Sequence, residues 1–136
     1  MTPRDLINYV STMPLPSSYP SVTLLTVLHF ADPAGRCPKE VFIQQFRNYY
    51  IGRENAGLKP EKTESPLFDP QPVTDDQVWS LATGETLRDW KATGYLDFNE
   101  EFVRFHSGLW ADLRAADIAQ LRLTLIARLD QYYGTL

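Results

Sequence analysis

Apolar positions recur along the chain with two periods, and the change from one to the other locates its elements. Near the start, Leu6, Val10 and Met13 fall on one helical face. Thr2, Pro3 and Asp5 precede them as N-cap, first-turn proline and an acid at the positive end of a helix. Pro14 and Pro16 close that helix, because proline removes a backbone donor and biases the residue before it to extended geometry. From Val22 to Ala31, "VTLLTVLHFA" is apolar on nearly every side, the pattern of a helix running through a core. His29 lies in that run and is expected to be a neutral, hydrogen-bonded core histidine, since no metal-like spacing accompanies it. "DPAGRCPK" reads as a turn, with Pro38 starting the next helix. There Phe42, Phe46 and Tyr49 recur at i, i+4, i+7 and face inward, while Glu40, Gln44, Arg47 and Asn48 face away. Arg53 continues the apolar stripe and needs an acceptor, for which Glu61 is the first candidate.

Residues 55–73, "NAGLKPEKTESPLFDPQPV", hold Pro60, Pro66, Pro70 and Pro72 with no sustained period, and are expected to form a mobile connection. Thr74 and Gln77 then match a capping box ahead of Val78, Leu81 and Ala82. Gly84 interrupts this segment, which is either one helix to about Thr93 or two short ones, ended by Gly94 as a left-handed C-terminal residue. From Tyr95 to His106 the period shortens to two: Leu96 and Phe98 share a face, and the return places either Phe102 with Arg104 or Val103 with Phe105 against it. This is a two-stranded ribbon. The last segment, Ala116 to Tyr133, is the clearest amphipathic helix, with Ile118, Leu121, Leu125, Leu129 and Tyr132 along one stripe. Arg122 projects into the same face, to snorkel at its edge or meet a buried anion.

Composition narrows the function more than the fold. At 136 residues the chain fits one domain. A net charge of −4 and a pI near 5.1 exclude a surface that is positive all over, so any contact with nucleic acid must be local. Between Arg36 and Lys62, six bases (Arg36, Lys39, Arg47, Arg53, Lys59, Lys62) stand against Glu40, Glu54 and Glu61, a local excess that a solvated helix face would also produce. The single cysteine, Cys37, excludes an internal disulfide and reads as a small buried or capping residue. No apolar run approaches the roughly 18 residues of a membrane span, so no membrane partner and a cytoplasmic location are expected.

Familiar catalytic signatures are missing. There is no Gly-rich phosphate loop, G-x-S-x-G elbow or H-E-x-x-H pair, and two histidines with one cysteine make no zinc set. Asp75, Asp76, Asp89 and Lys91 have a loose nuclease-like spacing, but on a helix rather than on adjacent strands. The expectation is a non-enzyme without metal or cofactor.

In order, the central chain reads apolar helix, turn, amphipathic helix, connection, third helix and two-stranded ribbon. Over residues 20–108 this resembles the winged helix-turn-helix fold, giving a mainly α fold with a small β-hairpin. One domain, 1–136, is expected: an N-terminal helix and linker (1–19), the winged-helix core with its mobile loop 55–73, and a C-terminal helix (109–136). The stretches "FRNYYIGRENAGLKPEK" and "LWADL…LDQYY" are also similar to small accessory domains of bacterial restriction and defence proteins. The resemblance implies binding to double-stranded DNA, as a regulator or recruiting module of a defence or mobile-element system. It would set Arg88 and Lys91 of the third helix and Arg104 of the ribbon toward DNA, with Arg47 and Lys39 reaching phosphates. Asp89, Asp97, Glu100 and Glu101 lie beside these cations and would repel phosphate. The alternative is the same scaffold used as a protein-interaction adaptor, or as a homodimer paired through the C-terminal helix.

Overall fold

Thr2 caps the first helix, α1 (Pro3–Thr12), in the computed structural model, which describes residues 1–136. Its hydroxyl accepts from the Asp5 backbone N–H at 3.1 Å, and the Asp5 carboxylate accepts from the Thr2 N–H at 2.9 Å. The second helix, α2 (Tyr19–Phe30), starts earlier than its apolar run suggests, with Pro20 in its first turn, and is buried along most of its length. A short strand β1 (Arg36–Pro38) leads into α3 (Lys39–Asn55), whose Phe42, Phe46 and Tyr50 lie in the core. Tyr50, not Tyr49, completes the fully buried aromatic stripe; Tyr49 is only half-buried.

The third-helix segment is continuous. An α-helix α4 (Asp75–Leu81) passes through a π-helical turn (Ala82–Thr86) into α5 (Leu87–Thr93). Gly84 sits inside the π turn, so the predicted interruption is a widening and not a break. Gly94 follows with φ 82°, the left-handed cap its position predicts. Then come β2 (Leu96–Phe98), β3 (Phe102–Phe105), a short α6 (Ser107–Asp112) and α7 (Ala115–Tyr133).

The ribbon is part of a three-stranded antiparallel sheet of order β1-β3-β2. Cys37 pairs with Val103, Phe98 with Val103 and Leu96 with Phe105, and these residues form the face turned to the core. Val103 with Phe105 is therefore the inward pair, and Phe102 with Arg104 the outward one. Cys37 is fully buried and its thiol is pushed up to about 12 by burial, then by the charge of Asp32, which makes it a packing residue. The turn into β1 requires Gly35: its φ is 82°, and a Cβ there would lie 2.7 Å from the Trp110 ring. That ring stacks on Phe105 at 5.2 Å and donates its indole N–H to the Pro33 carbonyl at 3.0 Å.

A single core cluster of 27 buried residues draws on α1 and α7 as well as on the central elements, so the terminal helices belong to the same unit as residues 20–108. On α7, Leu121, Leu125 and Leu129 face this core, and α1 and α2 cover them. Each such leucine contributes about 1.5–3 kcal/mol by burial. What the helix leaves exposed is Leu123 and Ile126. No helix is long and apolar enough to cross a membrane.

The proline-rich connection, expected to be mobile, is fastened. It holds one 3-10 turn (Pro66–Phe68), and Leu67 is fully buried. Glu61 is also fully buried, and four donors converge on its two oxygens. Oε2 accepts from the Ser18 backbone N–H at 3.0 Å and from the Ser18 hydroxyl; Oε1 accepts from the Lys62 N–H at 2.8 Å and from the Tyr132 phenol. Ser18 Oγ lies 2.8 Å from Tyr50 Oη, which extends the network into α3. Four donors are what an ionised carboxylate accepts, so Glu61 needs no cation beside it. Arg53, expected to be its partner, instead donates to the Lys59 carbonyl at 2.8 Å and lies over the Tyr133 ring at 3.4 Å. His29 is hydrogen-bonded and neutral as expected, yet exposed at the edge of α2: its Nε2 accepts from Arg122 Nε at 2.9 Å. Partial burial and then the Arg122 charge lower its pKa.

Candidate nucleic-acid and protein interface

The outer face of the sheet carries the row Arg36, Arg104 and Asp97, set by the register Arg36↔Arg104 and Asp97↔Arg104. Two arginines directly opposite each other repel, and the surrounding groups offset this. Arg36 lies 3.6 Å from Asp32, and both guanidiniums flank the Phe102 ring, at 5.7 Å and 5.9 Å. Asp97 is shared: its carboxylate lies 3.9 Å from Arg104 Nη2 and 3.4 Å from Lys91 Nζ on α5. Lys91 also sits over Phe98 at 5.5 Å.

The tip of the ribbon is acidic. Asn99 accepts at its Oδ1 from the Glu101 and Phe102 backbone N–H groups at 2.7 Å and 3.0 Å, which holds the turn and leaves Glu100 and Glu101 pointing outward and exposed. Glu100 reaches Lys39 Nζ at 3.1 Å. Lys39 is also 5.1 Å from the Trp79 ring, which meets Phe98 edge-on at 6.5 Å. The ribbon is thus tied to α3 and α4 through a cation resting on an aromatic.

Of the five cations expected to touch DNA, the fold brings Lys39, Lys91 and Arg104 together around the ribbon and pairs each with a ribbon carboxylate. Arg47 lies apart, paired with Asp75 in the first turn of α4. Arg88 alone is exposed and stands in no ion pair. Around the ribbon the charges balance, with Lys39, Lys91 and Arg104 against Asp97, Glu100 and Glu101. The acids were legible in the sequence as neighbours of these cations. Their direct pairing was not, because it depends on the turn of the ribbon toward α3 and α5. The aromatic supports Trp79, Phe98 and Phe102 also escape a sequence reading, since they look like ordinary core residues.

No cluster of three or more histidines, cysteines or carboxylates is placed to hold a metal ion. A scan of protein-family models and searches of curated proteins and of solved structures found no match to this chain.

Proposed function

We propose that the chain is a winged-helix domain that works as a protein-interaction module. The element order supports the first half of this reading: helix, short strand, helix, third helix, and a two-strand wing whose second strand pairs with the short first one. The observation that carries the second half is the self-neutralised wing. A DNA-reading wing gains affinity by exchanging counterions on phosphates for its own cations, and here Asp97 and Glu100 already occupy those cations. Bringing a phosphate to Lys91 or Arg104 would set it beside the Asp97 carboxylate.

The reading as a duplex-DNA binder keeps one specific support, the unpaired Arg88 on the third helix. An electrophoretic shift with mixed-sequence duplex at low ionic strength separates the two. No shift is expected of the native chain. A shift that weakens steeply with salt and disappears in Arg88→Ala would overturn the protein-interaction reading.

A further inference from the structure

A helix packed on one side is ordinarily polar on the other, and α7 is not. Its core side is Leu121, Leu125 and Leu129. Half a turn away, Ala116, Ala119, Leu123, Ile126 and Ala127 share the opposite side, and all are exposed. Leu123, at 64%, is the most exposed large apolar residue of the chain, and Ile126 beside it is at 44%. The two cations midway along the helix are drawn off this side. Arg122 donates to His29 on α2, and Arg128 to the Met13 carbonyl at the end of α1. From Ala116 to Ala127 the outward side therefore carries no charge. Phe30 extends the patch at its margin: it ends α2, is 42% exposed, and its ring lies 6.2 Å from that of His29, the residue bonded to Arg122. Apolar side chains gathered in this way mark a contact site, where the same residues scattered singly would not.

The charges at the two ends of the stripe say what covers it. Asp130 closes it at the C-terminal end, exposed and in no ion pair. Arg4 is exposed and equally unpaired, and it lies at the other end, where it lines one hollow with Ala116 and Gln120. A surface with a cation at one end, an anion at the other and an apolar middle is complementary to itself when turned end for end. With Leu123 on the two-fold axis, an antiparallel second α7 sets Ala119 against Ala127, two small residues that let the helices approach closely. It also sets Ala116 against Asp130, so that Arg4 of each copy reaches Asp130 of the other. The same reversal carries Ile126 to the level of Gln120, on the flank where Phe30 ends α2. Parallel pairing would instead set Asp130 against its own copy.

We infer that α7 is a dimerisation helix: two copies of this chain pair antiparallel through Leu123 and Ile126, with an Arg4–Asp130 ion pair at each end. The helix packs chiefly on α1 and α2, so the pair leaves both ribbons free. The inference goes beyond the proposed reading of the ribbon and holds whether the ribbon meets protein or DNA. From Ala116 to Asp130 the stripe is about 21 Å long. A strip of that length and one helix wide falls below the roughly 800 Å² per partner of a standard interface, so the dimer is a reversible one.

Sedimentation of the full chain tests it. Between about 10 µM and 1 mM the mass should rise from 15.6 kDa toward twice that value and no further, because a two-fold contact closes on itself. Leu123→Glu should raise the dissociation constant by about tenfold or more. Its side chain is mostly exposed, so the variant should keep the native melting temperature. Asp130→Lys brings like charges together and should weaken the dimer by about threefold or more. Adding Arg4→Asp restores opposite charges with their signs exchanged, and should return the dissociation constant to within about twofold of the native value. A chain that stays monomeric to about 1 mM, or a Leu123→Glu variant that associates as the native chain does, would overturn the inference. So would growth beyond the dimer, or a charge exchange that fails to rescue Asp130→Lys.

Discussion

Glu61 and Asp97 are carboxylates in opposite circumstances. Glu61 is fully buried and has no cation; two backbone N–H groups, a serine and a tyrosine satisfy it. Asp97 is about half exposed and is set between two cations. The first holds four parts of the chain together: the start of α2 directly, α3 through Ser18, the proline-rich connection and α7. The second adds little to stability, because exposed ion pairs are worth about 0–1 kcal/mol, and what it changes is the potential the ribbon presents. One carboxylate therefore belongs to the folding of the molecule, and the other, under the proposed reading, to its choice of partner.

Removing Glu61 should have the largest effect. Glu61→Ala leaves four donors facing a cavity and should cost about 3 kcal/mol or more, read as a fall in the urea midpoint. Loss of only a few tenths would mean that the connection 55–73 is not anchored there. Tyr132→Phe removes one of the four donors and should cost about 1–2 kcal/mol.

Alkali attacks the same node more gradually. Burial raises the phenols of Tyr50, Tyr132 and Tyr133 above the ordinary 10.0, in Tyr132 with the hydrogen bond to Glu61 as the next cause. Their folded-state pKa lies above the unfolded one, so this stability is complete below pH 10.0 and is lost as the pH rises toward the folded values. Urea midpoints should fall across that window, and ultraviolet titration should show a group of phenols ionising late or only on unfolding. Ordinary titration of every phenol would contradict the buried network.

At the ribbon the expected stability change is the smallest. Asp97→Asn with Glu100→Gln should shift unfolding by less than about 1 kcal/mol. A larger loss would make these pairs structural and would erase the contrast with Glu61.

What the sequence makes legible follows the range of the interactions. Capping at Thr2 and Thr74 and the left-handed Gly94 are settled by neighbours a few residues away, and all are present. The alternation from Leu96 to Phe105 likewise shows a ribbon, but choosing its inward pair required the rest of the core. Strand β1 has three residues and ends on a proline, and it exists because β3 pairs with it, so no local pattern announces it. Proximity in the chain points Arg53 to Glu61, yet Tyr133 from the far terminus takes the guanidinium face and Tyr132 the carboxylate. In sequence the connection 55–73 reads as mobile because its anchors, Glu61 and Leu67, are single residues with no period. For the candidate site, the identities of the cations and of the acids beside them were readable, whereas which acid meets which cation was not.

The most direct test compares native chain and the Asp97→Asn, Glu100→Gln variant for binding to labelled duplex DNA across a salt series. Self-neutralisation of the wing predicts no measurable binding by the native chain at low ionic strength, and binding by the variant that falls with a log–log slope of about −0.9 for each phosphate neutralised. Native chain that binds the duplex as tightly as the variant, with the same slope, would contradict the account.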